Sequence, residues 1–209
     1  EFRRVLFRSV YDETGKAPPP KTIGRQVHLD YPLDQLVECI DWTPFFHAWE
    51  IKGVYPSLLN KPESGPAARE LFENGKAMLD KLVREKSLRA SACVGFWPAA
   101  RNGDDIDVFT ADESGGSAGR FHMLRQQVDS PTARCRSLAD LIAPPDEASG
   151  RARDHLGLFA VCVHGADEVV AGYEAEHDDY NAIMVKVLAD RLAEALAELM
   201  HKQIGRAHV

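Results

Sequence analysis

Hydrophobic residues recur at helical spacing in three stretches of the chain, 31–40, 66–86 and 167–203. Residues three or four apart share one face of an α-helix, so this spacing predicts three amphipathic helices. The apolar stripe of the second helix consists of Leu71, Phe72, Met78, Leu79 and Leu82. The broad face of the third consists of Ile183, Val187, Leu188, Leu192, Leu196 and Leu199. The third is the strongest, because residues 180–202 are nearly all strong helix formers.

Shorter apolar runs between these helices have the length and composition of β-strands. Residues 92–97 and 156–163 are continuous apolar runs, and residues 105–110 alternate between apolar and polar positions. The turn signal Asn102-Gly103 predicts a hairpin with a longer loop, and residues 121–124 are expected to extend the sheet. The order of elements predicts an α+β fold: an antiparallel twisted sheet flanked by helices, with a long C-terminal helix.

The two ends of the chain differ in composition from the region between them. The segment before residue 27 contains three consecutive prolines, which favour extended linker structure. The last six residues, IGRAHV, break the pattern of the preceding helix. We therefore expect residues 1–26 to be linker and non-native N-terminal sequence, residues 27–203 to form the domain, and residues 204–209 to be a non-native tail.

Composition narrows the class of protein. The chain has 209 residues, 44% hydrophobic and 27% charged, which is typical of a globular domain. Its net charge of -7 argues against nucleic acid as a partner, and no apolar run approaches the roughly 18 residues that span a membrane. The cysteines lack C-x-x-C spacing and have apolar neighbours, which predicts reduced, buried thiols in a cytoplasmic protein. They are Cys39, Cys93, Cys135 and Cys162.

Several polar clusters are candidates for chemistry. Asp190, Glu194 and Glu198 recur every four residues and share one helix face, as either a solvated face or an acidic rim for a cation or partner protein. Lys186 and Lys202 flank this acidic row and are expected to offset its repulsion. The segment HDDYN at 177–181 is interpreted mainly as a helix cap, since adjacent helical side chains diverge too much to bind a metal together.

Two further segments carry alternative interpretations. The three aspartates of GDDID at 103–107 suggest a metal site, but a polar turn is favoured, because the calcium-loop pattern is absent. The segment RQQ at 125–127 offers many donors, for an anion or for structural hydrogen bonds. No Gly-rich phosphate loop, G-x-S-x-G or H-E-x-x-H motif occurs. These residues predict no metal site and no catalytic residue, and a metal-dependent hydrolase is the least favoured alternative.

A combination of segments resembles the activation domain of cobalamin-dependent methionine synthase. The segments are IDWTPFF at 40–46, GFWPA at 95–99 leading into GDDI at 103–106, LRQQ at 124–127, HDDYN at 177–181, IMVK at 183–186 and LADRLAEA at 188–195. These segments occur in the same order along the chain as in the family. Taken together, they extend the resemblance over residues 27–202. It implies a module that binds S-adenosylmethionine and supports the reductive reactivation of cob(II)alamin.

The resemblance also implies partners and site residues. The electron is expected to come from flavodoxin or a flavoprotein reductase. Cobalamin is expected to be bound by a separate module, and zinc to occur only in the full enzyme. That enzyme transfers methyl from methyltetrahydrofolate to homocysteine. Asp41 matches the aspartate that contacts the amino-acid part of S-adenosylmethionine, as a carboxylate can pair with its ammonium group. A cap on a helix starting at Trp42 suits Asp41 equally well. Asp190 and Glu194 match positions that face the cobalamin module.

The resemblance also leads us to expect a C-terminally truncated domain. The family continues past this helix into a strand-rich part that supplies most contacts to S-adenosylmethionine. We therefore expect weak or no binding by this chain, and no methyl transfer by the chain alone. The alternative function is a non-catalytic interaction domain that docks a corrinoid protein or a flavoprotein.

Overall fold

The computed structural model describes residues 19–112, 115–127 and 135–207, with side chains up to residue 202. The strands are β1 (Gly24–Tyr31), β2 (Arg89–Asn102), β3 (Asp105–Phe109), β4 (Ser117–His122) and β5 (Asp154–His164). The α-helices are α1 (Leu33–Val37), α2 (Trp42–Ala48), α3 (Gly65–Glu85), α4 (Ala166–Ala175) and α5 (Asp179–Ala207). Two short 3₁₀ helices cover Ser57–Asn60 and Leu138–Leu141. No helix in the described ranges is long and apolar enough to cross a membrane.

The strands form one five-stranded sheet. Its order is β1-β2-β3-β4, and β5 pairs with β2. The β2–β3 and β3–β4 pairs are antiparallel. The predicted α+β fold, an antiparallel sheet with flanking helices and a long C-terminal helix, is confirmed.

The hairpin between β2 and β3 is tighter than predicted. Asn102 lies directly opposite Asp105, so the loop consists of only Gly103 and Asp104. Gly103 has φ of 63°, a left-handed conformation that glycine adopts without a steric penalty. A glycine at this position therefore permits a two-residue turn where the sequence pattern suggested a longer loop.

The chain divides into two compact units, and one comprises residues 27–93 and 159–202. Its core is built from the apolar faces of α1, α2, α3 and α5, together with the first 3₁₀ helix. The largest fully buried side chains in this unit are Leu36, Phe45, Phe46, Leu58, Leu79, Leu82, Met184, Leu188, Leu192, Leu196 and Met200. The α3 stripe predicted from sequence is confirmed, apart from the half-buried Phe72.

The other unit includes residues 94–158. Its core packs the inner faces of β2 and β3 against the second 3₁₀ helix and the residue that follows it. The buried members are Ala99, Ile106, Val108, Ala139 and Ile142, with Trp97, Met123 and Leu156 partly buried against them. The alternation predicted for residues 105–110 therefore places Ile106 and Val108 in a core, as expected.

Secondary-structure predictions were wrong near the N-terminus. Strand β1 was not predicted; it begins inside the segment expected to be linker, whose residues 1–18 lie outside the described part of the chain. The helix predicted over 31–40 is only the five-residue α1, and Tyr31 ends β1 instead. Pro32 explains this difference, because the residue before a proline is driven toward extended backbone.

The C-terminal helical stretch also differs from its prediction. It forms two helices, α4 and α5, interrupted around His177, whose φ is 59°. Helix α5 continues through Ala207, past the predicted end at residue 203. Ile183, predicted on the core face, is 44% exposed. Two residues along a helix turn about 200°, so Ile183 lies opposite the buried Val185.

The cysteines are reduced, but the prediction that all are buried was wrong. Cys39, Cys93 and Cys135 are half-buried, and Cys162 is exposed. Cys162 has apolar neighbours because it lies on β5, where successive side chains point to opposite faces. The residues on either side of a strand cysteine point to the opposite face of the sheet. Their apolar character therefore does not show whether the thiol is buried.

Candidate functional site

The carboxylate of Asp41 caps the N-terminus of α2. Its backbone is extended, with φ of -80° and ψ of 112°, and Oδ1 accepts a 2.9 Å hydrogen bond from the backbone N–H of Thr43. The cap that the sequence offered as one role of Asp41 is confirmed. The Asp41 side chain is exposed, and within the described ranges no group donates a hydrogen bond to Oδ2. One oxygen thus holds the helix, while the other is open to a ligand.

Aromatic packing fixes the start of α2. The Trp42 ring packs edge-on against Phe45 and Phe72, with ring centroids 5.1 and 4.8 Å away. Phe45 is completely buried. Edge-to-face contacts at these distances are favourable for aromatic pairs. Asp41 therefore projects from a helix end that cannot easily shift.

Asp190 and Glu194 lie on the exposed face of α5, as predicted for the acidic row. Both carboxylate oxygens of Glu194 accept hydrogen bonds from the Arg191 guanidinium, at 2.7 and 2.9 Å. The Arg191 side chain is only 12% exposed, whereas that of Glu194 is 65% exposed. Asp190 has no ion pair with a described residue. Of these two carboxylates, that of Glu194 is therefore anchored and that of Asp190 is unpaired within the described ranges.

The lysines that flank this acidic row differ in their roles. Lys202 Nζ lies 2.7 Å from Glu198 Oε1, one helical turn away, and the bond to Glu198 raises the pKa of Lys202. Lys186 instead pairs with Glu174, at 2.9 Å. The prediction that lysines offset the repulsion within the acidic row is thus confirmed for Lys202. It was wrong for Lys186, which pairs with a residue outside the row.

Each aspartate of the GDDID segment pairs with an arginine or a histidine. Asp105 lies opposite His122, with Oδ1 3.0 Å from Nδ1. Asp107 lies opposite Arg120 and accepts hydrogen bonds of 2.5 and 3.0 Å from it, which lower the pKa of Asp107. Both pairs link β3 to β4, and Asp107–Arg120 is a cross-strand pair of opposite charges. The favoured interpretation as a polar turn agrees with this geometry.

Arg125 joins the β2–β3 turn to the second 3₁₀ helix. It donates two hydrogen bonds to Asp104, at 2.6 and 3.1 Å, two to Asp140, at 2.8 and 2.9 Å, and one to the carbonyl of Cys135. Arg125 and the backbone N–H of Ser137 hold the pKa of Asp140 well below its usual range. Of the two roles considered for this segment, Arg125 thus serves in structural hydrogen bonding.

The HDDYN segment provides the cap of α5. Asp178 Oδ1 accepts a 3.1 Å hydrogen bond from the backbone N–H of Asn181, and Oδ2 accepts one of 2.6 Å from the Asn181 side chain. These bonds lower the pKa of Asp178. The interpretation as a helix cap is confirmed. Nowhere in the described ranges do three or more His, Cys, Asp or Glu residues gather in a geometry that could hold a metal ion.

Local sequence patterns do not reveal the partner of Arg125 or the contact between Cys162 and His164. Asp140 is 15 residues from Arg125, so no local spacing indicates their contact. His164 binds Ser91 from 73 residues away and lies close to Cys162 on the same strand. Only the Cys-x-His spacing on a strand could have indicated that the latter two share a face.

Comparison with known proteins identifies the family. Residues 32–208 match the vitamin B12-dependent methionine synthase activation domain. The chain belongs to this family. A crystal structure described as the MetH reactivation domain bound to AdoHcy is 39% identical to the chain, with a TM-score of 0.85. The match covers 97% of this chain and 63% of that one, so the activation-domain chain spans under two thirds of this relative's length.

Membership of the activation-domain family confirms the resemblance inferred from the sequence segments. Asp41 and the acidic row lie in the same compact unit of this domain. The Arg125 network belongs to the other unit. The expected roles of Asp41, Asp190 and Glu194 remain predictions, and their geometry is the basis of the function proposed below.

Proposed function

We propose that this chain supports the reductive reactivation of cob(II)alamin with S-adenosylmethionine as methyl donor. The methionine synthase it serves would transfer methyl from methyltetrahydrofolate to homocysteine. The observation that carries the proposal is the family match over residues 32–208. The AdoHcy bound by the 39% identical relative adds support, because this molecule is what remains of S-adenosylmethionine after methyl transfer. Flavodoxin or a flavoprotein reductase would supply the electron.

We further propose that Asp41 binds the ammonium group of S-adenosylmethionine. An ionised carboxylate only accepts hydrogen bonds, and one to an ammonium group is charge-assisted. Oδ1 is used by Thr43, and the exposed Oδ2 is available. When bound, S-adenosylmethionine supplies the methyl group; Asp41 only binds and orients it. Cobalamin and zinc would be held by other modules of the enzyme.

Isothermal titration of S-adenosylmethionine and AdoHcy tests the role of Asp41. The titration uses both the chain and a chimera that adds the part of the solved relative not covered by the match. In the chimera, Asp41→Asn should keep the cap but lose the charge, and weaken binding about tenfold. The matched control is Asp178→Asn, another capping aspartate, which should not change affinity.

Two results would contradict these proposals. Unchanged affinity in Asp41→Asn would show that Asp41 does not bind the ligand, but it would not contradict binding of S-adenosylmethionine elsewhere in the domain. If neither chain nor chimera binds either ligand, the activation role fails, and the chain is better described as a non-catalytic interaction domain.

We also propose that Asp190 and Glu194 face the cobalamin-binding module during reactivation. Two features support this role: Asp190 is exposed and unpaired in the described ranges, and the Arg191 side chain that binds Glu194 is only 12% exposed. Anchoring reduces the side-chain entropy that would be lost on docking. Such surface charges tune association rates and specificity.

Association with the cobalamin-binding module, measured by surface plasmon resonance, tests this surface. The double variant Asp190→Asn/Glu194→Gln should associate more slowly at low salt. The control is Asp167→Asn/Glu168→Gln, which removes the same charge from the exposed first turn of α4. Equal loss in both double variants would indicate a general effect of net charge and would overturn the assignment.

A further inference from the structure

A cysteine, a histidine and a serine form a hydrogen-bonded series on the exposed face of β5 and β2. His164 Nε2 lies 2.7 Å from Ser91 Oγ, and His164 Nδ1 lies 3.7 Å from Cys162 Sγ. Cys162 and His164 are exposed, and Ser91 is half-buried. All three belong to the same compact unit. The proposed function does not involve them.

We propose that Cys162 is a modification site that reacts with small disulfides, with His164 as its general base and Ser91 as a positioning residue for His164. A nucleophile beside a base that a third group orients is the arrangement that activates weak nucleophiles. With its proton on Nε2, the imidazole donates to Ser91 Oγ and presents the Nδ1 lone pair to the thiol. The two nitrogens of His164 thus have distinct roles, fixed by their neighbours.

The reaction is a thiol–disulfide exchange. The Cys162 proton moves to His164 Nδ1, and the thiolate attacks one sulfur of the disulfide. A new S–S bond forms between Cys162 and that sulfur as the original S–S bond breaks. The other half leaves as a thiolate and takes the proton. Cys162 is oxidised, the leaving half is reduced, and no further reactant is needed.

The surroundings of Cys162 favour this chemistry over that of the other thiols. Cys39, Cys93 and Cys135 are only partly accessible, whereas Cys162 is exposed. Cys162 also lies 3.7 Å from His164 Nδ1, the base that the proposal assigns to it.

The rate of modification by oxidised glutathione tests the proposal. The whole chain is incubated with this disulfide, quenched with N-ethylmaleimide, and each cysteine is followed by peptide mass spectrometry. Cys162 should be modified fastest, and His164→Asn should slow it about tenfold by removing the base. Ser91→Ala should slow it less, whereas Ser91→Thr, which keeps the hydroxyl, should retain the rate.

The control and the contrary result separate activation from simple exposure. His122→Asn removes another exposed imidazole, one that pairs with Asp105, and should leave the Cys162 rate unchanged. A thiol that is merely exposed would react at the same rate in folded His164→Asn and in the unmodified chain, and that result would overturn the proposal. Because binding of S-adenosylmethionine is not measured here, this test stands or fails independently of the proposed function.

Discussion

Asp41 and Thr43 are joined by a 2.9 Å hydrogen bond from the backbone N–H of Thr43 to Asp41 Oδ1, which closes the first turn of α2. The bond occupies only one oxygen of an exposed carboxylate. Capping a helix and binding a cation are therefore compatible at this residue. The two roles respond differently to substitution, because the cap needs an acceptor atom and the ion pair needs a charge.

Asp41→Ala should lower the free energy of unfolding by about 1 kcal/mol, because it removes the acceptor that caps α2. Asp41→Asn should stay close to the unmodified chain, since an asparagine oxygen caps equally well. Urea unfolding of the three proteins checks this. Equal destabilisation by Ala and Asn would mean that the charge, not the cap, stabilises the fold at this position.

Gly75→Ala should destabilise the protein even though alanine is the better helix former. A Cβ at Gly75, in the interior of α3, would lie 2.7 Å from Cζ of the completely buried Phe45. Overpacking costs about 1–3 kcal/mol, more than the ~1 kcal/mol of helix propensity gained. Gly172→Ala in α4 meets nothing within 4 Å and should instead be stabilising. Thermal unfolding of both variants should therefore shift in opposite directions.

Asp140→Asn should make the free energy of unfolding depend less on pH in the acid range. The folded-state pKa of Asp140 is depressed, first by Arg125, so its contribution is present above the unfolded pKa. That contribution is lost as the pH falls below about 4, the ordinary pKa of aspartate. The unmodified chain should thus be more stable than Asp140→Asn at pH 7, and the difference should narrow at lower pH. Urea unfolding across this range measures it.

Arg125→Met supplies the control for the Asp140 prediction. Without the guanidinium, Asp140→Asn should change the pH dependence less, because its main hydrogen-bond partner is gone. The same pH profile for Asp140→Asn in both backgrounds would assign the effect to the backbone N–H of Ser137 and to Arg101 instead.

Asp190→Asn/Glu194→Gln should change the melting temperature very little. Both side chains are exposed, and the Glu194–Arg191 pair joins residues three apart on one helix. Because the Glu194 carboxylate is 65% exposed, solvent screens its pair with Arg191, and the pair contributes on the order of a few tenths of a kcal/mol. A large loss of stability, measured by calorimetry, would mean that any loss of partner binding in this variant reflects unfolding rather than docking.

Strand β4 marks the limit of prediction from local pattern. The sequence favoured residues 121–124, but the strand is Ser117–His122, and all its side chains are exposed. Its position is set by the ladder to β3 and by the facing pairs Asp105–His122 and Asp107–Arg120. A strand that buries no side chain leaves no apolar alternation to detect. Strand β1 was missed for the same reason, because only its last residue, Tyr31, is buried.

The sequence by itself determined the elements whose signal is local. The α3 bounds were predicted to within one residue, and the caps at Asp41 and Asp178 were predicted, because helical periodicity and capping act between residues less than a turn or two apart. Only the tertiary structure decided the partners of Arg125 and the exposure of Cys162 beside His164 and Ser91. Those depend on which strands pair and in what register, and register joins residues far apart in the chain.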